Sequence, residues 1–185
     1  MKLAEDTFGG LAGQEIELFR KLLTGVKGIG VEIGCMDGYS TAHLLECSKL
    51  HLTSIDPFIP DSMAAHLIGQ EARFIENVSP WKERITLLKA YSWDVVIGWN
   101  QMLDFLFIDG DHTYASVLRD YEQWTPLLKP GGLLAMHDSR MGRPNGAGFH
   151  MGPSQVAHEY VYGKPDLWEV VGEAFSLTVA RKRAT

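Results

Sequence analysis

Cys35 and Cys47 are the only cysteines in the chain. Two are too few for a disulfide framework or a cysteine-built zinc site. Both lie in a segment patterned for burial, so free thiols in a reducing cytoplasm are expected. No stretch approaches the ~18 consecutive apolar residues of a membrane span, and the first residues lack the basic-then-apolar pattern of a secretion signal. A cytoplasmic protein with no membrane partner is the expectation. Positive charge is scarce: 17 Lys and Arg stand against 23 Asp and Glu, a formal net charge of −6. Nucleic-acid backbones need a basic surface, so no nucleic-acid partner is expected. Internal repeats, low-complexity segments, an Asn-Pro-Pro-Tyr-like motif and a cysteine-nucleophile motif are all missing. The basic run Arg181-Lys182-Arg183 reads as a solvated terminus.

The 185 residues suit a single domain (1–185) with a sizeable core. That domain is organised around Val31-Glu32-Ile33-Gly34-Cys35-Met36-Asp37-Gly38-Tyr39-Ser40-Thr41. An apolar run ends in an acid, a glycine-bounded turn follows, and a helical pattern begins near Ser40. Open α/β sheets bind ligands at such a turn. Gly34 and Gly38 allow positive φ and a close backbone approach. Their spacing matches neither the dinucleotide fingerprint nor the phosphate loop, and no lysine stands ready for a phosphate. Glu32 would repel a pyrophosphate and suit a cation. S-adenosylmethionine, with an ammonium and a sulfonium and no phosphate, answers that description.

Leu11 to Val26 carries an amphipathic helical pattern, and the first strand follows Gly28. A helix is predicted over Ser40 to Cys47, a strand over His51 to Asp56 and a helix over Asp61 to Val78. The third strand spans Ile85 to Leu88, and a short helix from Trp93 to Trp99 takes Ser92 as its N-cap. Leu103 to Asp109 is the near-continuous apolar run of a parallel strand buried on both faces. The stripe Tyr114 to Leu128 predicts a helix ended by Lys129-Pro130-Gly131-Gly132, with strand five at Leu133 to Met136. Pro153 reads as the first residue of a helix reaching Tyr162. Trp168 to Val171 and Phe175 to Ala180 are too closely linked for a parallel crossover and must pair antiparallel. The sum is a Rossmann-like, doubly wound α/β fold: a seven-stranded, mostly parallel sheet with one antiparallel strand. Residues 27–138 form its cofactor-binding core, 139–158 a substrate loop or lid, and 166–182 the closing hairpin.

Glu32, Asp56, Asp109 and Asp138 all fall at carboxyl ends of strands, where a doubly wound sheet puts its site. Asp56 follows Glu32 by about the spacing at which an acid grips ribose hydroxyls. Glu32-Ile33-Gly34-Cys35-Met36-Asp37-Gly38-Tyr39-Ser40 resembles motif I of class I S-adenosylmethionine-dependent methyltransferases, and its Gly-Tyr-Ser ending is similar to the catechol and caffeoyl-CoA O-methyltransferases. Phe107 to Tyr114, Leu127 to Gly132 and His137-Asp138 resemble a related bacterial O-methyltransferase group, some of whose members act on sugars or antibiotic precursors.

The resemblance implies these roles. Gly34, Cys35 and Gly38 wrap the methionine part of the cofactor, together with Glu32 at the strand end. Ser40 holds its carboxylate at the helix start. Asp56 binds the ribose hydroxyls and Ser92 lies beside the adenine. Asp109 faces the methyl donor and, in the metal-dependent branch, binds a divalent cation such as Mg or Mn. His137 and Asp138 stand where that branch has an Asp-Asn pair of ligands, and His112 stands at its catalytic lysine. Imidazole in place of an oxygen ligand tilts the set toward softer metals. Asp109, His112 and His137 are thus the catalytic candidates, and Asp109, His137 and Asp138 the metal candidates. The remaining histidines, His43, His51, His66, His150 and His158, read as surface or packing residues. Arg140 and Arg143 stand near an acceptor's entrance but read as solvated.

The expected function is methyl transfer to a small-molecule hydroxyl, with metal assistance as an option. N-methylation, cofactor binding without catalysis, and nicotinamide-dependent oxidoreduction stay open as alternatives. The short lid suggests a homodimer.

Overall fold

The computed structural model describes residues 10–59, 69–140 and 151–184. Over them the chain runs α1 (Gly13–Leu23), β1 (Lys27–Ile33), α2 (Tyr39–Cys47), β2 (Lys49–Ile55), α3 (Gln70–Val78), β3 (Ile85–Leu88), α4 (Ser92–Val95), β4 (Leu103–Ile108), α5 (Tyr114–Trp124), β5 (Leu128–Met136), α6 (Met151–Val156), β6 (Trp168–Ala174) and β7 (Leu177–Lys182). The strands form one sheet in the order β3-β2-β1-β4-β5-β7-β6. β7 is antiparallel to both neighbours, and the other observed pairings are parallel. One reversed strand in seven is the predicted arrangement.

Side-chain alternation sends each sheet face to its own helical layer. Phe105 and Phe107 of β4 pack with Phe19 and Leu23 of α1, Leu44 and Leu45 of α2 and Phe74 of α3. Leu106 and Ile108 pack instead with Val117, Tyr121 and Trp124 of α5 and Val156 of α6. The near-continuous apolar run of β4 follows from its central place, covered on both faces. Because β1, β2, β4 and β5 are parallel and in register, their carboxyl ends share one edge. Gly34 N–H donates to Ile55 O, Asp109 N–H to Ile33 O, and His137 N–H to Ile108 O.

Several element boundaries differ from expectation. β5 begins at Leu128 rather than Leu133. Pro126 lies in a 3-10 turn, Thr125–Leu127, that ends the helix early. Leu103 then pairs with Leu128 and Phe105 with Leu133, so Lys129 to Gly132 bulge from a strand already under way. Of the helix expected over Asp61 to Val78, only Gln70–Val78 lies among the described residues. Pro153 sits inside α6, not at its first residue, and the helix continues as a π turn over Ala157–Tyr162. Ser92 is the first residue of α4, and Tyr91 takes the cap position without a side-chain bond.

Candidate active site

The turn after β1 is held by groups the protein itself supplies. Gly34 and Gly38 both have φ of +81°. A Cβ at Gly34 would stand 2.2 Å from the Asp109 carbonyl oxygen, so the turn lies directly against the end of β4. A Cβ at Gly38 would stand 2.9 Å from the Phe74 ring. These glycines are therefore required by protein packing as well as by any ligand. Asp56 gathers the same turn. Its Oδ2 accepts from Cys35 N–H at 2.9 Å and Met36 N–H at 3.0 Å, and its Oδ1 accepts from Phe58 N–H at 2.7 Å. A carboxylate has about four acceptor sites. One remains on Oδ1, enough for one ribose hydroxyl rather than two.

Glu32 is fully buried beneath the turn. Ser40 Oγ, Thr41 Oγ1 and Ser54 Oγ each donate to its carboxylate at 2.6 Å. Ser54 is its register partner on β2, so the contact follows from strand pairing. Burial pushes the Glu32 carboxyl up to about 7 against the pull of the three hydroxyls. The Glu32 side chain faces the interior and supports the turn from below, and the Ser40 hydroxyl is turned to it. Cys35 is buried, and burial raises its thiol well above the ordinary value. It is no nucleophile, and its backbone N–H is already given to Asp56. Ser92 likewise points inward, donating a very short hydrogen bond to Asp120 of α5. Burial lifts the Asp120 carboxyl to about 6.

Beside the turn, four expected residues converge. His137 Nδ1 lies 3.1 Å from Asp109 Oδ1 and 3.4 Å from Asp138 Oδ2. His112 Nε2 lies 3.3 Å from Asp138 Oδ2. Asp138 has a left-handed backbone, φ 51°, which turns its side chain back toward the strand ends. Its carbonyl accepts from Ser154 Oγ of α6 at 2.9 Å. A Cβ at Gly152 would meet the His112 carbonyl at 2.3 Å, so α6 closes over the loop that carries His112. Asp109, Gly110, His112, His137 and Pro153 line a small hollow at this place.

Three carboxylates surround the His137 ring, because Glu15 Oε2 of α1 lies 3.4 Å from Nε2. Burial opposes the imidazolium, but Asp109, Asp138 and Glu15 together push its pKa up to about 12. Burial pushes the Asp109 carboxyl up in turn, partly offset by His137. Both ring nitrogens of His137 thus face carboxylates. Glu15 and Asp120 were missed from the sequence. The signal for Glu15 was present: an acid stands on the apolar stripe of α1, one helical turn before Phe19. His43, expected on the surface or in packing, is buried with its ring edge-on to Tyr39. His66, His150 and Arg143, and half of the loop expected over 139–158, lie outside the described residues.

A metal would find a coherent donor set here. One atom each from Asp109, His137 and Asp138 lie within 4.8 Å of one another. Two carboxylates and an imidazole suit Mn, Fe or Zn better than Mg, and the ring would have to release its Nδ1 proton. The turn after β1 also fits S-adenosylmethionine. It offers the start of α2 to a carboxylate, a strand-end acid to a ribose hydroxyl, and no lysine to a phosphate.

Comparison with known proteins agrees with this geometry. A family model described as a methyltransferase domain matches residues 31–139. An uncharacterised protein of Acanthamoeba polyphaga mimivirus is 29% identical over a 117-residue alignment that covers 58% of this chain and 50% of that protein. The chain therefore spans half the length of that curated relative. Among solved structures, the O-methyltransferase TomG of Streptomyces achromogenes, bound to S-adenosylmethionine, superposes with a TM-score of 0.67 at 13% identity, over 95% of this chain and 82% of that one. A Bacillus cereus O-methyltransferase bound to S-adenosylhomocysteine gives 0.67 at 15%, over 94% and 83%. An rRNA methylase of Streptococcus thermophilus gives 0.62 at 16%, over 91% and 94%. At these identities the likeness speaks for the fold.

Proposed function

The chain belongs to the methyltransferase-domain family, and from that membership we propose that it moves the methyl group of S-adenosylmethionine to a hydroxyl oxygen of a small molecule. One observation carries the reading. The cofactor-type turn and the acid–imidazole cluster are in backbone contact, with Gly34 packed on the Asp109 carbonyl. A donor bound in the turn and an acceptor bound at the cluster would be neighbours. When bound, S-adenosylmethionine supplies an electrophilic methyl carbon on a sulfonium sulfur.

The chain's own residues then have the following work. The backbone of 34–38 and the start of α2 hold the amino-acid end of the donor. Asp56 accepts a ribose hydroxyl at Oδ1. Asp109 lies where the two halves meet and stabilises positive charge. Asp138 holds His112 through Nε2, and the ring takes up the acceptor's hydroxyl proton. Asp138 then stabilises the imidazolium so formed, as a carboxylate does behind a catalytic histidine. Holding donor and acceptor in line is the protein's main contribution. Should a divalent ion bind, Asp109, His137 and Asp138 would hold it, and it would lower the pKa of a hydroxyl near it. A net charge of −6 supports a small acceptor over an RNA backbone.

The test is calorimetry with S-adenosylhomocysteine, followed by transfer of labelled methyl groups to a panel of phenols, catechols and sugars. His112→Gln is expected to lower turnover about 10²- to 10⁴-fold with cofactor affinity kept. Failure of the cofactor to bind, or full turnover in that variant, overturns the reading.

A further inference from the structure

Among the described residues, Glu15 is a buried carboxylate that stands away from the strand ends. It is fully buried, in the first turn of α1, and its side chain reaches three separate elements. Oε2 accepts from Ala12 N–H at 2.7 Å, which caps α1. Oε1 accepts from Ser176 N–H at 3.1 Å and Ser176 Oγ at 2.7 Å, in the turn between β6 and β7. Oε2 also faces His137 Nε2 at 3.4 Å, at the end of β5. A buried carboxylate is costly unless it is fully bonded. Capping α1 and holding the hairpin use acceptors on both oxygens, which a carboxylate supplies and an amide, with one acceptor oxygen, does not. The same Oε2 also reaches the imidazole.

We infer that Glu15 is a positioning residue for His137: it holds Nε2–H and so keeps Nδ1 turned to Asp109 and Asp138. An imidazole has two ring nitrogens, and a flip would put carbon where Nδ1 now stands. The hydrogen bond on one nitrogen decides what the other presents. Carboxylates that orient histidines behind metal sites and nucleophiles act in this way. The Phe107 ring packs edge-on to His137, with centroids 6.4 Å apart, and limits the ring from the side, so Glu15 sets the remaining freedom. The consequence is that α1, which lies outside the residues matched by the family model, contributes to the centre. The inference rests on the functional reading above for its catalytic consequence, but its structural content is separately measurable.

The experiment compares the full chain with Glu15→Gln and Ser176→Ala. The readout is the His137 Nε2–H resonance in 15N-labelled protein, assigned by its loss in His137→Gln. In the unmodified protein and in Ser176→Ala this proton should be protected from solvent exchange. In Glu15→Gln it should exchange at least tenfold faster. Turnover should fall about 10- to 100-fold in Glu15→Gln with KM for S-adenosylmethionine unchanged, and stay near normal in Ser176→Ala. A freely exchanging proton in the unmodified protein overturns the inference without needing any variant to fold. Equal loss of turnover in both variants, tracking their loss of melting temperature, also overturns it and leaves Glu15 a structural tether. Protection lost on Glu15→Gln in a protein that binds no S-adenosylhomocysteine would sustain the positioning role and sink the functional reading instead.

Discussion

At the scale of single residues, the site is built from acids whose surroundings give them different work. Asp56 accepts backbone amides at the open edge, while Glu32, one strand away, is sealed below three hydroxyls. The sealed acid has a consequence for pH. Its folded pKa is raised, to about 7, so the folded chain holds this proton more tightly than the unfolded chain does. Stability from this group is present at low pH and is lost as pH rises from about 4.5 through about 7. Glu32→Gln removes that dependence. Urea unfolding at pH 5 and pH 8 should show the variant gaining roughly 2 to 3 kcal/mol on the parent across the interval. An unchanged difference at the two pH values would mean that the buried carboxylate does not titrate there.

At the scale of elements, the turn between β1 and α2 does what neither element could do alone. It must pass under the end of β4 and reverse into a helix within a few residues. Gly34 and Gly25 share nearly the same φ, +81° and +82°, but differ in surroundings. Gly25 has nothing within 4 Å of a built Cβ, whereas Gly34 abuts the Asp109 and Gly110 backbone. Gly25→Ala should cost about 1 kcal/mol, the ordinary price of a left-handed alanine. Gly34→Ala should cost roughly 2 kcal/mol or more and abolish S-adenosylhomocysteine binding, because the ends of β1 and β4 must part. Denaturation and calorimetry on both variants separate backbone conformation from packing. Equal costs would show that the contact with β4 yields easily.

At the scale of the whole molecule, two helical layers clamp the sheet and leave its carboxyl edge to the site. Elements from both layers meet there: α1 through Glu15 and α6 through Ser154 and Gly152. Ligand binding at such a junction should stabilise the fold as a unit. S-adenosylhomocysteine at a hundredfold excess over its Kd should add about 2.7 kcal/mol. For a chain of this size that is a rise in Tm of roughly 5 to 10 °C. No shift at saturating ligand would mean that the cofactor-type turn is only a turn.

Much of this was written locally. Apolar runs and their bounding acids marked the strand ends, and the short Trp168 to Ala180 segment forced an antiparallel pair. Once parallel strands are inferred, their carboxyl ends must share an edge, so Asp56, Asp109 and Asp138 were bound to lie along the same one. That is a consequence of periodicity and chain connectivity, which short windows of sequence carry. Side-chain direction is different. Ser40 turned to Glu32 and Ser92 turned to Asp120 are choices between a ligand and a protein partner, and they depend on what packs from the other side. The clearest case is Glu15 against His137, 122 residues apart. Helical periodicity put an acid on a buried face, but only the packing of α1 across β5 and the β6–β7 turn brought the imidazole to it. A hydrogen bond between distant elements depends on tertiary packing that local pattern does not carry.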